Sequence, residues 1–407
     1  MKPWKKLLIL FFVFLFYVFL CVFIKPDYSW NFDFSVNWNT IVNISKGTPL
    51  YEQKYWTMYG FPYHVPLYFY FIAFLVWLFG EYYIINKIYL IICIFCVALL
   101  LEHIVKNSKN DKLENKKIRD YTSFVFLLNP FVIIHTITGL FDGLALLYLL
   151  IGYFLIHKTL TETSRKRFLL SFLSGLSIGV GFLTKIIPLV FLPLGFLILL
   201  YRKKILETIC FTVGFFSISG SLMAFLLIKY PNFWHIGFGW QINRESVSFS
   251  FFSYFLDLTF FYNLILLGLG FFCILYIFST DVFRKEKINL FIYTGMFASV
   301  FFILYRVFYP GYLLWFIPFL AYISIKMIEE KKYKKLIMLI TIFCIELIAI
   351  GLWETQFFPI FTLSWGAMAA LSVVNSICLI AYLIFLSDYR IINDDKLEIK
   401  EDFKKAS

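Results

Sequence analysis

The chain has 407 residues, of which 61% are hydrophobic, 22% aromatic and only 15% charged. Soluble domains carry about 25% charged residues. A water-soluble core could not hide this much apolar surface, so the composition excludes an ordinary soluble protein and indicates that lipid is the solvent. The apolar runs are continuous and close to the ~20 residues that a helical span needs, rather than alternating as barrel strands do. The sequence therefore predicts an all-α polytopic integral membrane protein.

The net charge is +12, and a basic balance can indicate nucleic-acid binding. Here the lysines and arginines cluster in short connectors between apolar runs, which is typical of the cytoplasmic loops of membrane proteins. No basic groove interleaved with aromatic residues is visible, so we expect no nucleic-acid partner. The seven cysteines all lie in apolar runs, which favours packing over disulfide or metal chemistry. The five histidines have no metal-ligand spacing, and we expect no metal and no cofactor.

Twelve apolar runs predict about 12 transmembrane helices. The first, residues 7–24, is too long for a signal-peptide core and has no small-residue cleavage site, which favours a retained span. The others are residues 82–105, 121–138, 141–158, 168–184, 186–201, 205–229, 259–279, 289–307, 311–327, 336–353 and 364–387.

The apolar run at residues 65–80 needs separate treatment. If this run does not cross, every Lys/Arg-rich connector, including residues 106–119, falls on one face together with both termini. We therefore expect an interfacial or re-entrant helix there. Residues 1–387 are then one transmembrane domain with an outer catalytic loop at 25–64, followed by a charged cytoplasmic tail at 388–407.

Charged residues at the membrane edge are costly and suggest function by default. Asp33 follows the first span among aromatic residues, and Asp142, Lys185, Arg244 and Arg306 all fall on the same predicted face. Arginine and lysine could hold the phosphate of a phosphate-bearing lipid. Asp33 would then be available for proton transfer.

Simpler interpretations stand beside these. Lys185 and Arg306 could extend to the interface from span ends. Asp142 could stabilise the N-terminus of the helix that begins there. Asp33 could be an ordinary loop acid, and Glu346, in the middle of a span, favours a buried polar pairing over catalysis.

Five short motifs follow one another over most of residues 1–320. They are Asp33 with Gly47, Pro49 and Tyr51; Tyr63 to Pro66; Asn129-Pro130 with Gly139 and Asp142; Lys185-Ile186-Ile187-Pro188; and Arg244 with Ser248, Phe249 and Ser250, followed by Arg306 with Tyr312 and Trp315. This order resembles the GT-C class of integral-membrane glycosyltransferases. It is most similar to the catalytic subunit of GPI mannosyltransferase I and to prokaryotic polyprenol-phosphate-mannose-dependent α-mannosyltransferases.

The resemblance implies a GT-C-like bundle that moves a hexose, with mannose expected, from a polyprenyl or dolichyl phosphate to a hydroxyl of a lipid-linked glycan or glycolipid. It implies Asp33 as the general base. The substrate contacts would be Tyr51, Asp142, Lys185, Arg244, Arg306 and Tyr312. The expected location is the cell membrane, or the endoplasmic reticulum in a eukaryote, with the catalytic loop on the extracytoplasmic side. Membrane lipids are further partners, and an accessory subunit is compatible with this class.

The chain also departs from the eukaryotic pattern. Asn31 stands where the eukaryotic enzyme has a second acid two positions before Asp33, and Glu245-Ser246-Val247 replaces a His-rich stretch. A polyprenyl phosphate leaves as a stable anion, so one base suffices and direct displacement predicts inversion. The alternatives are a transporter or flippase of lipid-linked sugars and a non-catalytic subunit of a glycosylation complex.

Overall fold

The computed structural model describes residues 2–24, 32–51, 67–107, 116–230, 233–234, 260–284, 288–305, 309–354 and 364–391. Over these ranges the chain contains helices and no strand, apart from an isolated antiparallel bridge between Ile288 and Ile391. The predicted all-α class is confirmed.

Sixteen α-helices and two 3-10 segments make up these ranges. The α-helices are α1 Pro3–Phe23, α2 Phe32–Ser45, α3 Leu67–Phe79, α4 Tyr83–Asn107, α5 Thr122–Leu127, α6 Pro130–Ile137, α7 Asp142–Thr161, α8 Lys166–Thr184, α9 Ile187–Val190, α10 Leu192–Tyr201, α11 Ile205–Lys229, α12 Phe260–Phe283, α13 Leu290–Leu304, α14 Ile317–Glu329, α15 Tyr333–Glu354 and α16 Trp365–Ser387. The 3-10 segments are Lys116–Tyr121 and Pro310–Trp315.

All twelve predicted runs contain helix. Within the described ranges, eight helices are long and apolar enough to cross a membrane, and a ninth span forms if the pair ending in α6, bent by 44°, counts as one. The remaining runs hold shorter helices, namely α9 with α10, α13, and a 3-10 turn with α14. Helix α2 lies in the predicted outer loop, where its mixture of polar and aromatic residues gave no apolar run.

Helix α3 does not cross between α1 and α4. Lys6 at the start of α1 pairs with Glu102 near the end of α4. At the opposite end of the same two helices, the Tyr83 hydroxyl donates to the Val22 carbonyl at 3.1 Å. The helices α1 and α4 are therefore antiparallel, so the chain leaves α1 and enters α4 at the same end of the bundle. With 13 residues, α3 is about 20 Å long, less than the ~30 Å of a bilayer core, which agrees with an interfacial or re-entrant helix.

The end of the bundle that holds Lys6, which we call the basic end, is held together by ion pairs. Glu102 also accepts from Lys106 at 2.7 Å and from the Ser123 hydroxyl at 2.7 Å. Lys106 pairs in addition with Asp120 at 2.6 Å. Charges that are removed from water need partners of this kind, because an unpaired buried charge is strongly destabilising.

Further links at the basic end join helices that are distant in sequence. Arg119 pairs with Glu329, and Arg390 with Asp281 at 2.7 Å. Arg390 lies at the start of the predicted tail, whose remaining residues, 392–407, fall outside the described ranges. The described residues of these basic connectors thus lie at one end of the bundle, while the compartment that this end meets stays a prediction.

Small residues bring α8 close to its neighbours. An added Cβ at Gly175 would overlap the Phe211 carbonyl of α11, and one at Gly214 would overlap the Phe172 carbonyl of α8. The Ser174 hydroxyl of α8 donates to the Gly152 carbonyl of α7 at 2.7 Å. Small and hydroxyl-bearing residues allow such close approach of membrane helices. The tight packing of α8 on α7 fixes the end of α8 relative to the beginning of α7.

Cysteine labelling can test the topology. We expect a cysteine at Thr163, exposed between α7 and α8, and one at Lys46, exposed after α2, to react with a membrane-impermeant maleimide from opposite sides. The reason is that an odd number of crossings separates them if α3 does not cross. The seven native cysteines would first be replaced. Labelling of both positions from one side would contradict the assigned topology.

Candidate active site

An ion pair lies at the end of the bundle opposite the basic end. The Lys185 ammonium contacts Oδ1 of Asp142 at 2.5 Å, and both side chains are largely removed from solvent. The pair joins the first residue of α7 to the residue that follows α8. In low-dielectric surroundings such a contact is far stronger than at a wet surface. Its two charges cancel, so neither is left unpaired in the apolar bundle.

The local sequence explains the position of Asp142. Pro130 starts α6, and the Asn129 side chain accepts from the Phe131 amide at 3.0 Å, which caps that helix. After α6 the chain reverses at Gly139, whose φ of +81° is a left-handed conformation that favours glycine. The reversal places Asp142 in the first turn of α7, with its carboxylate turned toward the bundle rather than capping the helix.

Lys185 occupies a break between helices. Its backbone is extended, with φ −153° and ψ 146°, and it ends α8. Pro188 then lies in the first turn of the short helix α9, where proline is tolerated although it is not in a helix interior. The Lys-Ile-Ile-Pro motif therefore creates a break from which a lysine side chain reaches sideways to α7.

Aromatic rings surround the ion pair. The Trp315 indole N–H donates to Oδ1 of Asp142 at 3.0 Å. The Lys185 ammonium lies 4.9 Å from the ring centroid of Tyr312 and 5.4 Å from that of Phe141. Cation–π contacts of this kind strengthen when desolvated. Trp315 belongs to the Tyr-x-x-Trp motif, and its hydrogen bond to the carboxylate could not be read from the sequence.

His135 is a member of this cluster that the sequence analysis did not single out. Its Nε2 lies 3.7 Å from Oδ2 of Asp142, too far for a hydrogen bond, and the ring is buried. Neither ring nitrogen has a hydrogen-bond partner in the part of the chain that the structure describes. Among the described residues, no three His, Cys, Asp or Glu side chains come together as a metal site.

Asp33 lies in the first turn of α2, with an exposed side chain. The adjacent Phe34 is fully buried and packs on the Gly139 turn, so closely that a Cβ at Gly139 would overlap its ring. Phe34 thus connects the helix that holds Asp33 to the turn that leads into Asp142.

A buried lysine lies beneath Phe34. The Lys87 ammonium is 4.7 Å from the Phe34 ring centroid and donates to the Ile137 carbonyl at 2.8 Å and to the Ile24 carbonyl. Lys87 is within the predicted span 82–105, where the sequence analysis did not identify it as a candidate.

The other predicted site residues have different surroundings. Tyr312 contacts Lys185, as described above. Tyr51 is buried against Phe233, at 4.7 Å between ring centroids, and Tyr230, at 5.5 Å, and its hydroxyl has no hydrogen-bond partner among the described residues. Arg244 and Arg306 lie outside the described ranges, so their convergence with Lys185 stays a prediction.

The structure also decides two of the simpler interpretations. Lys185 does not extend to an interface, because its ammonium pairs with Asp142. Glu346 forms a buried polar pairing in which the Tyr382 hydroxyl donates to its carboxylate.

The fold is similar to that of a solved membrane enzyme. The structure of ArnT from Cupriavidus metallidurans bound to undecaprenyl phosphate aligns with a TM-score of 0.54 and 14% identity, over 95% of this chain and 77% of that one. ArnT in the apo state aligns with a TM-score of 0.48 and 13% identity, over 89% of this chain and 72% of that chain. The sequence matches no family profile and no curated protein.

ArnT is a GT-C glycosyltransferase, so the predicted GT-C-like fold is confirmed. The particular mannosyltransferase resemblance is not tested by a likeness at this identity.

We expect an asymmetric response when the ion pair is broken. Lys185→Met leaves the more deeply buried carboxylate of Asp142 uncompensated and should cost about 3 kcal/mol, the scale for breaking a buried pair. Asp142→Asn should cost less, because Lys185 is the more exposed partner, with 17% of its side chain accessible against 5% for Asp142.

The double variant provides the control for this experiment. Asp142→Asn combined with Lys185→Met removes both charges, so its thermal unfolding midpoint in detergent should exceed that of Lys185→Met alone. Strictly additive losses would mean that the two groups do not interact.

Gly139→Ala should destabilise the protein by at least about 1 kcal/mol, because the left-handed backbone and the Phe34 ring both oppose a Cβ. Gly268→Ala is a matched control, since beyond its own stretch of helix no described atom lies within 4 Å of its added Cβ. Alanine there should be neutral or slightly stabilising, as expected inside a helix. Equal thermal unfolding midpoints for the two variants would contradict the packing described for Phe34.

Proposed function

We propose that the protein is a membrane glycosyltransferase that moves a hexose from a polyprenyl-phosphate-linked donor to a hydroxyl acceptor. The observation that carries the proposal is the linkage of Asp33 to the Asp142–Lys185 pair. Phe34 packs on the Gly139 turn, and that turn leads into Asp142. An exposed carboxylate and a partly buried cation thus lie at the same end of a GT-C-like bundle.

The reaction needs few groups. The acceptor oxygen forms a bond to the anomeric carbon while the bond from that carbon to the phosphate oxygen breaks. The electron pair of the broken bond stays on the phosphate, which changes from a diester monoanion to a monoester dianion. Because the leaving group is stable as an anion, it needs no general acid, unlike the poor leaving group of a glycosidase.

Asp33 is proposed to accept the proton of the acceptor hydroxyl as the general base. Its exposed position supports this role, because a carboxylate in contact with water can release the proton after each turnover. Attack opposite the departing phosphate inverts the anomeric configuration.

Lys185 is proposed to stabilise the charge that develops on the phosphate. An ammonium has three donors, and Asp142 accepts one of them. Asp142 holds the ammonium in a fixed direction, and because it also neutralises that ammonium, further cations are needed for a dianion. Arg244 and Arg306 are the proposed cations, and Tyr51 and Tyr312 are proposed substrate contacts.

The proposed donor sugar is mannose and the proposed acceptor is a lipid-linked glycan or glycolipid, both on the strength of the sequence motifs. The polyprenyl phosphate part of the donor has separate support. The ArnT structure with the similar fold contains undecaprenyl phosphate, which is a polyprenyl phosphate.

Asp33→Asn should reduce sugar transfer about 100-fold or more while leaving the protein folded, which is the usual scale for loss of a general base. The assay follows radiolabelled sugar from polyprenyl-phosphate mannose and polyprenyl-phosphate glucose into lipid acceptors. Glu81→Gln is the matched control, because Glu81 is an exposed acid at the same end of the bundle, paired with Lys46 at 2.8 Å. Near-normal transfer by Asp33→Asn would refute the assignment of the base.

The same preparation separates the alternatives. A transporter or flippase would move labelled lipid-linked sugar across proteoliposomes without forming a new glycosidic product. A non-catalytic subunit would do neither alone and would restore transfer only with its partner.

A further inference from the structure

Lys87 is the most deeply buried lysine among the described residues, with no accessible surface. It sits in the second turn of α4, where an unpaired ammonium would be strongly destabilising. Within the described part of the chain, its partners are not carboxylates. The ammonium donates instead to two main-chain carbonyls, those of Ile24 and Ile137.

These two carbonyls belong to the ends of two helices. Ile24 directly follows α1, and Ile137 is the last residue of α6. Carbonyls at helix C-termini lack partners within the helix and carry the negative end of the helix dipole. One ammonium thus caps both helices and draws their ends together against α4, which an apolar side chain of similar length, without donors, could not do.

Besides the two carbonyls, the Lys87 ammonium contacts an aromatic ring of α2. The Phe34 ring centroid lies 4.7 Å from Lys87 Nζ, and the same ring packs on the Gly139 turn. Phe34 is therefore confined by contacts with both a cation and a glycine. Since Phe34 follows Asp33 directly, this confinement fixes the start of the helix on which Asp33 lies.

Asn86, the residue before Lys87, is connected to the surroundings of Lys185. The Tyr68 hydroxyl donates to the Asn86 side chain at 2.8 Å. The Tyr68 ring stacks on Phe141 at 4.4 Å, and Phe141 in turn lies under the Lys185 ammonium. Consecutive residues of α4 thus connect to Asp33 through Phe34 and to Lys185 through Tyr68 and Phe141.

We infer that Lys87 is a positioning residue that holds the Asp33 helix in register with the Asp142–Lys185 pair, without itself contacting the substrate. This inference rests on the proposed function. It predicts an effect on the rate of the chemical step rather than on donor binding. A displacement of about 1 Å in a reacting group can cost on the order of 100-fold in rate.

The first experiment compares three variants in the transfer assay. Lys87→Met should lower kcat at least tenfold while the donor KM stays within threefold of the wild-type value. Lys87→Arg should recover most of the rate, because a guanidinium can also donate to two carbonyls. Phe34→Leu removes the ring but keeps the lysine, and it should give a similar kcat loss even if Lys87→Met folds poorly.

Lys6→Met is the matched control. Lys6 also ties α1 to α4, through Glu102, but at the basic end. A general loosening of the two helices would lower kcat in both lysine variants. A loss confined to Lys87→Met supports positioning, whereas an equal loss in Lys6→Met, or a kcat for Lys87→Met within threefold of the wild-type value, overturns it.

A second readout does not depend on catalysis. Spin labels at Lys46→Cys, after α2, and Leu128→Cys, between α5 and α6, report the distance between these segments in a background without native cysteines. Lys87→Met should broaden this distance distribution, and Lys6→Met should not. If the wild-type protein transfers no sugar, the proposed function fails, and the distances alone then decide the positioning role. An unchanged distribution in Lys87→Met overturns it.

Discussion

Every charge that enters the apolar bundle must find a partner inside it, and this constraint organises both ends of the molecule. At the basic end the acids Glu102 and Glu329 pair with Lys6 and Arg119, which lie far from them in sequence, and each also pairs with a lysine of its own helix. At the opposite end Asp142 collects Lys185 and the Trp315 indole. Without water as a competing partner, each such contact selects one arrangement of helices, because any other arrangement would leave an uncompensated charge.

The buried charges have different surroundings at the basic end and at the end that holds Asp142 and Lys185. The pairs at the basic end connect helix termini and loops. At the opposite end the charged groups combine with a left-handed glycine, two helix breaks and a ring of aromatic side chains. Breaks and reversals within a membrane protein occur where the backbone is buried in protein or lines a cavity. The irregular backbone at Gly139 and Lys185 therefore supports the proposal that a ligand binds at this end.

Much of this arrangement follows from the sequence, and the remainder does not for identifiable reasons. Hydropathy located the twelve helical runs, although within the described ranges only eight of them, or nine with the bent pair, are long enough to cross a membrane. The one-sided distribution of lysine and arginine identified the helix that does not cross. Both signals are local or additive along the sequence. The sequence identified Asp142 and Lys185 individually, because each is a charge at the membrane edge. It did not show that they pair, since 43 positions separate them and only the close packing of α7 on α8 brings them together. Lys87 and His135 were missed because each lies in an apolar run without a spacing motif, and α2 because its residues have no simple periodicity.

Helix α3 has a consequence for the membrane itself. It adds cross-section to one leaflet only, and it exposes a row of large side chains to the lipid, namely Phe71, Phe74, Trp77, Leu78 and Phe79. Because α3 does not cross the bilayer, the lateral pressure of a single leaflet bears on it. The inner face of α3 packs against Trp38 and Ile41 of α2, the helix that begins beside Asp33. A change in lipid composition or bilayer curvature that displaces α3 would therefore also displace α2 and the candidate catalytic carboxylate of Asp33.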